Sequence, residues 1–296
     1  LLDMCKSSTA LSQAKLIHMT ILHSKIPTDI VLVTSLLNAY GKCGAVHTAR
    51  ALFDTMISKN IISWNVMIAL YVQDDHGKES IQLFNEMQCQ SVMPNKVTFI
   101  EIFSACCTLQ KGKLLYTHFM HSGFVIDDVV ASSIISMYGK CGSTIDAQEV
   151  FRKLHNHTTN SWNALIAGYA HLGESESVFH VLDRMISENV RPSVDTLISV
   201  LTACSHAGLV SEGEIYFKEI RNNWGFILTP EHCTCMVDLL GRAGHIDKAI
   251  SLIKKMPFHP SAVVWHSLLG ACRKWGYVDL GRCAFEHVLQ LDVKDG

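Results

Sequence analysis

The chain is poor in charge, in proline and in long apolar runs. Charged residues fill 18% of its 296 positions, and the formal net charge is −2 with histidine neutral. No global basic field therefore marks a polyanion binder, and any nucleic acid must be met by locally placed cations. With 48% hydrophobic residues, so little charge also excludes a disordered chain. No apolar run reaches the roughly 18 to 20 residues of a membrane span. The longest candidates are broken by Asn38, Asp74 or Ser104, so no membrane role is expected. No secretory signal is visible. Leu1-Leu2-Asp3-Met4-Cys5 reads as the middle of a helix, so the chain is expected to begin inside a structural repeat.

The signatures of catalysis are missing too. A zinc deaminase needs His-x-Glu and Cys-x-x-Cys, and neither occurs. None of the sixteen histidines forms His-x-x-x-His or His-Glu-x-x-His, and no phosphate-cradling glycine loop is present. His155 and His157 are expected to face solvent. Eleven cysteines invite a metal or disulfide reading, but their settings are those of packed thiols. Cys43 and Cys141 share the string Tyr-Gly-Lys-Cys-Gly; Cys106, Cys204 and Cys272 each follow Ala in an apolar stretch; Cys233 and Cys235 lack a second pair. The expectation is a reducing compartment, no metal, no cofactor, no small-molecule substrate and no enzyme activity.

What is present is repetition. Ser63-Trp64-Asn65 returns as Ser161-Trp162-Asn163, Tyr40 to Gly44 as Tyr138 to Gly142, and Phe103 to Cys106 as Leu201 to Cys204, all at an offset of 98. Each long period holds three shorter units. A unit opens on apolar residues at helical spacing, such as Val33, Leu36, Leu37 and Tyr40. A glycine follows (Gly44, Gly142, Gly173, Gly208, Gly244, Gly276), suited to the left-handed end of a helix. A second amphipathic stretch completes the unit, closed in several cases by Pro94-Asn95, Pro192-Ser193 or Pro260-Ser261. Helical hairpins of 31 to 36 residues cannot bury both apolar faces alone, so neighbours must stack. The expected fold is all-α.

Unit lengths alternate: 30–60, 61–95, 96–127, 128–158, 159–193, 194–229, 230–261 and 262–295. With the repeated Ser-Trp-Asn and Tyr-Gly-Lys-Cys-Gly strings and the run Glu231 to Gly244, this alternation resembles the plant organellar pentatricopeptide repeat proteins of the P-L-S subclass. The resemblance covers essentially the whole chain. It implies a right-handed α-solenoid superhelix, with S-type units at 30–60, 128–158 and 230–261, P-type at 61–95 and 159–193, and L-type at 96–127 and 194–229. Residues 1–29 resemble a partial L-type unit. Val263 to Arg273, within 262–295, resembles the first E-type extension motif. Three departures stand out: unit 96–127 is three residues short around Gln110-Lys111-Gly112, Asp75 stands where a turn glycine is expected, and Leu228 replaces a usual proline.

The resemblance also implies a function: a sequence-specific single-stranded RNA adaptor for cytidine-to-uridine editing in a mitochondrion, placed ahead of the chloroplast. The deaminase would be recruited as a partner or carried in a further domain. An RNA stabilisation or splicing factor without editing, and a protein scaffold, are the alternatives. In the family the fifth residue of each unit reads one base, assisted by the last. Here the pairs are Thr34 with Asn60, Asn65 with Asn95, Ser132 with Thr158, Asn163 with Ser193, and Thr234 with Ser261. Asn at the fifth place favours pyrimidines; Thr or Ser favours purines. The apolar residues Val31, Ile62, Val97 and Val129 would wedge between bases. The competing reading is that these polar residues are simply helix caps. Ile100 and Ile198 occupy the fifth place of the L-type units and cannot read a base, so those units are expected to hold the multiple organellar RNA editing factors. Lys42, Lys140, Arg242 and Lys274 share the thirteenth place, as a phosphate-binding stripe or as ordinary cations at helix C-termini. Tyr40, Tyr71, Tyr138 and Tyr169 share the eleventh and are read as core.

Overall fold

A computed structural model describes residues 8–23 and 29–295, and among them finds seventeen α-helices and no strand. The chain divides into two compact units, one ending at Met137 and the other beginning at Tyr138. The first holds α1 (Ser8–His23) and the hairpins α2 (Ile30–Lys42) with α3 (Val46–Thr55), α4 (Ile61–Gln73) with α5 (Gly77–Cys89), and α6 (Lys96–Ala105) with α7 (Leu109–His121). Helix α8 (Asp128–Lys140) runs across the division. The second holds α9 (Thr144–Arg152) and the hairpins α10 (Thr159–His171) with α11 (Ser175–Ser187), α12 (Val194–Ala207) with α13 (Val210–Asn222), α14 (Pro230–Arg242) with α15 (Ile246–Lys255), and α16 (Ala262–Trp275) with α17 (Val278–Asp295).

Within each unit the first helices lie side by side, α2 on α4 on α6 and α10 on α12 on α14 on α16. Each of the second helices α3, α5, α11, α13 and α15 packs on its own partner and on the first helix of the next hairpin. Burial follows the 3.6-residue period, as in Val178, Val181, Leu182 and Met185 of α11. The largest buried rings sit where a second helix meets the next first helix: Phe53 against Trp64 at 4.8 Å and Phe151 against Trp162 at 4.6 Å. Removing such a ring costs about 3–5 kcal/mol. The four repeat tyrosines are all buried, with Tyr40 only 1% exposed.

The hairpin turn has one geometry, used seven times. A backbone N–H just past the first helix donates to the carbonyl five residues back, as in Ala45 to Tyr40 (2.9 Å), Ser143 to Tyr138 (2.9 Å) and His245 to Leu240 (2.8 Å). The residue before that donor is left-handed, usually glycine. Asp75 takes the same conformation at φ 58°, and His76 still reaches Tyr71 at 2.8 Å. The short repeat is the exception. Its first helix has 10 residues where α4 has 13, and Cys106 leaves it in an extended conformation. The missing residues are thus the last helical turn together with the left-handed corner.

Glycine at the twelfth place has a different cause. A Cβ on Gly139 would lie 2.7 Å from Gly168 Cα, and one on Gly241 would lie 2.8 Å from Ala271 Cβ. Neighbouring first helices touch there almost backbone to backbone. One expectation is corrected. His157 does not face solvent: its ring stacks on Phe151 at 4.1 Å, next to Trp162, and bonds Glu188 and the Phe151 carbonyl. An imidazole there completes the aromatic layer. His155 is exposed.

Candidate nucleic-acid interface

The first helices begin at residues 30, 61, 96, 128, 159, 194, 230 and 262. The residue before most of these starts supplies a side-chain cap. Asn60 Oδ1 accepts from Ser63 N at 2.9 Å, Asn95 Oδ1 from Thr98 N at 3.0 Å, and Ser193 Oγ from Thr196 N at 3.3 Å. Thr158 Oγ1 takes Ser161 N at 3.4 Å, while Ser261 makes no side-chain cap bond and is exposed. Capping therefore falls on the last-place residues and not on the fifth-place ones.

The repeated Ser-Trp-Asn string now divides by role. Ser63 and Ser161 are buried and donate to the carbonyls of Asn60 and Thr158. Trp64 and Trp162 are core. Asn65 and Asn163 are half-buried and face the next helix start. Asn65 Nδ2 donates to Asn95 Oδ1 at 3.1 Å, and Asn163 Nδ2 donates to Ser193 Oγ at 2.8 Å. A third residue joins each pair. Thr98 Oγ1 donates to Asn65 Oδ1 at 2.6 Å, and Thr196 Oγ1 donates to Asn163 Oδ1 at 2.5 Å. An Asn side chain has two N–H donors and two carbonyl lone pairs, so each amide retains one of each beyond these bonds.

The hydroxyl residues at the fifth place behave differently. Thr34 donates to the Ile30 carbonyl at 2.7 Å, Ser132 to Asp128 at 2.8 Å and Thr234 to Pro230 at 2.8 Å. Each hydrogen is spent on its own helix, leaving oxygen lone pairs as acceptors. Thr34 is buried, whereas Ser132 and Thr234 are half-buried. Ile100 and Ile198 are half-buried as well.

In the first unit the side chains at the second place are apolar and exposed: Val31 65%, Ile62 59%, Val97 51% and Val129 56%. The second unit places Asn160, Asp195 and Glu231 there, and only Val263 is apolar. Its candidate face is more acidic as a result. The thirteenth-place cations differ too. Lys42 and Lys140 are exposed in the last turn of their helices. Arg242 is paired with Asp238 at 2.8 Å, and Asp238 also accepts from Ser205 at 2.6 Å. Lys274 donates to the Arg242 carbonyl at 3.0 Å and lies over the Trp275 ring. Ser205, His206, Asp238, Arg242, His266 and Lys274 line a recess of about 640 Å³ at the ends of α12, α14 and α16.

The cysteine pair forms part of the packing. Burial pushes the Cys233 thiol up to about 11 and that of Cys204 to about 12, far from a reactive thiolate. Among the described residues no cluster of His, Cys, Asp and Glu could hold a metal, and no helix is long and apolar enough to cross a membrane.

Stacked helical hairpins of this length define a helical-repeat protein. The sequence comparisons specify which kind. The PPR repeat model matches residues 31–61, 129–157, 160–190 and 231–259, and a PPR repeat family model matches 59–108. The chain belongs to the pentatricopeptide repeat family. It is 34% identical over 290 residues to the pentatricopeptide repeat-containing protein CRR2, chloroplastic, of Arabidopsis thaliana, covering 96% of this chain and 44% of that protein. It is 36% identical over 285 residues to At1g59720, chloroplastic/mitochondrial, of the same plant, covering 93% and 44%. The chain thus spans less than half the length of these relatives. Among solved structures it resembles the pentatricopeptide repeat protein PPR10 in complex with an 18-nt psaJ RNA element, with a TM-score of 0.72 at 17% identity over 94% of this chain and 42% of that one. That likeness is one of fold.

Proposed function

We propose that the chain binds single-stranded RNA, one base per hairpin, and serves as an adaptor for cytidine-to-uridine editing in a plant organelle. The observation that carries the RNA reading is the matching pair of Asn65 and Asn163, each held by the last residue of its own repeat and the third of the next, with donor and acceptor capacity to spare. A pyrimidine edge offers complementary donors and acceptors. Ile62 and Val97 flank Asn65 on the surface and can sandwich the base it reads. PPR10, which shares the fold, is bound to RNA, and the relatives labelled chloroplastic or mitochondrial support an organellar address.

Editing rests on the resemblance of 262–295 to an E-type motif, the end through which a deaminase-bearing partner would be recruited. The L-type units 96–127 and 194–229 are proposed to engage the multiple organellar RNA editing factors, because Ile100 and Ile198 have no polar group for a base. Lys42 and Lys140 are the proposed phosphate contacts, with Arg242 and Lys274 contributing once exchanged from their protein partners. In the family's register Thr234 meets the base four upstream of the edited cytidine, Asn163 six, Ser132 seven, Asn65 nine and Thr34 ten. Selection of RNA by the chain from a random single-stranded pool tests this. Enrichment of two pyrimidines three nucleotides apart is expected; recovery of an unenriched pool, or none, would refute base reading.

A further inference from the structure

In both asparagine sites a buried threonine hydroxyl joins the amide to the last residue of its own repeat through a chain of hydrogen bonds. The backbone N–H of Asn95 donates to Thr98 Oγ1 at 3.1 Å, and that of Ser193 donates to Thr196 Oγ1 at 2.8 Å. A backbone N–H can only donate, so each threonine oxygen accepts there and its own hydrogen points onward. Its shortest acceptor is Asn65 Oδ1 at 2.6 Å in one site and Asn163 Oδ1 at 2.5 Å in the other, ahead of Asn95 Oδ1 at 3.0 Å and Ser193 Oγ at 3.2 Å. With the oxygen fixed, Nδ2 must face the last residue of the repeat, Asn95 at 3.1 Å or Ser193 at 2.8 Å. Both threonines are fully buried, so water does not compete for the relay.

No other described site carries this arrangement. Behind Thr34, the residue at that place is Ser63, which turns its hydroxyl to the Asn60 carbonyl. Behind Ile198 it is His232, whose Nδ1 accepts from Thr229 N at 3.2 Å. Behind Thr234 it is Val264. Threonine occurs only where the fifth-place residue is an amide, the one side chain whose two ends differ and whose reading depends on which faces out.

We propose that Thr98 and Thr196 are positioning residues for specificity: from the repeat that follows, they lock the amides of Asn65 and Asn163 in one orientation and so fix the order of donor and acceptor shown to a base. The orientation claim concerns the free protein; its consequence for specificity rests on the RNA-reading function proposed above. A third residue, in the next repeat, thereby helps select the base read by the pair in the repeat before it.

The test uses the full chain with Thr98→Val, the isosteric loss of the hydroxyl, and Thr98→Ser, which keeps it. Side-chain amide NMR of 15N-asparagine protein without RNA reads the orientation. The Asn65 pair should show two separated Nδ2 protons, one protected from exchange; Thr98→Val should lose the protection and Thr98→Ser retain it. Binding to four oligonucleotides differing at the base opposite Asn65 reads the consequence. A pyrimidine preference of about tenfold should fall to about twofold or less in Thr98→Val and survive in Thr98→Ser, as expected from losing one directed contact. A general loss of affinity with the preference intact would make Thr98 a capping residue alone and overturn the proposal, as would an Asn65 amide unchanged in Thr98→Val. If the unaltered chain binds RNA without preference, the base-reading function fails, and the NMR result still decides the orientation claim.

Discussion

Alanine at Gly139 is the perturbation whose effect follows most directly from the packing. Its Cβ would lie 2.7 Å from Gly168 Cα and 3.7 Å from Gly168 N, where ordinary contact begins at 3.4 Å. The shortfall is about 0.7 Å, and the obstacle is backbone, so the end of α8 and helix α10 must part. Overpacking of this kind costs about 1–3 kcal/mol. Alanine returns about 0.5–1 kcal/mol by stiffening the unfolded chain in a helical position. A net loss of about 1–2 kcal/mol follows, which at a urea m-value near 3 kcal/mol/M moves the midpoint down by about 0.5 M. Two controls separate the cause. Gly41→Ala would meet the Leu70 side chain, with Cδ2 at 1.9 Å and Cγ at 2.8 Å, but the obstacle is a side chain that can turn about χ1 and not backbone, so it should lose less. Gly142→Ala has nothing within 4 Å but sits at φ +80°, so its loss is backbone strain of about 1–2 kcal/mol. Urea unfolding followed by far-UV circular dichroism measures all three. A Gly139→Ala protein as stable as the parent, or a Gly41→Ala protein that loses more, would refute the close-approach argument.

The remaining predictions concern the cap of α14, the aromatic layer and the phosphate contacts. His232 is buried and accepts from the Thr229 N–H through Nδ1, and burial holds its pKa below the ordinary 6.5 despite Glu231 and Asp195 nearby. The folded state resists the proton that the unfolded state takes, so its stabilising contribution is full above pH 6.5 and is lost as pH falls through the folded pKa. His232→Thr, which installs the hydroxyl found at Thr98 and Thr196, should flatten the wild-type decline in urea midpoint between pH 6.5 and 5; an unchanged slope would clear His232 of the effect. Trp162 Nε1 is buried without a partner, an arrangement that costs about 1–3 kcal/mol, so Trp162→Phe should cost less than about 2 kcal/mol in the same assay despite the smaller ring. A loss above about 3 kcal/mol would show that ring volume dominates. Lys42→Gln with Lys140→Gln should lower RNA affinity alike for every sequence and reduce the salt slope by about 1.4, at about 0.7 per phosphate contact on a single strand; an unchanged slope would place both lysines off the phosphates.

Much of the architecture is legible in the sequence because it is local and repeated. Helical spacing, the left-handed glycines and the 98-residue offset together define hairpins, and Asp75 forms the same corner because aspartate tolerates positive φ. What the sequence hides is whatever depends on the next repeat. In Tyr-Gly-Lys-Cys-Gly the last glycine reads as a turn, but the first is there because a neighbouring helix passes within contact, which no string displays. Thr98 and Thr196 look like ordinary first-turn residues, although their 98-residue separation was available as a signal. The pairing of fifth and last residues came from family resemblance, since no spacing rule joins positions thirty apart. The proposed cation stripe treated four residues alike, yet Asp238 sits one helical turn before Arg242 and engages it, an i,i+4 pair visible in the sequence. The burial of His157 is not legible in the sequence, because its stacking on Phe151 joins a helix to a loop whose course the repeat pattern does not fix.

Base selection at Asn65 tests the central claim most directly. Asn65→Thr with Asn95→Asp replaces the amide pair by a hydroxyl and a carboxylate, a set of acceptors suited to the donors of a purine edge. Affinities of parent and variant are measured for four single-stranded RNAs that differ only at the base opposite this repeat. The parent should prefer a pyrimidine and the variant guanosine, with the preferred and rejected bases separated by about 1–3 kcal/mol in each case. Equal affinity for all four bases in both proteins would contradict the account and leave Asn65 as a side chain that merely ties two helices together.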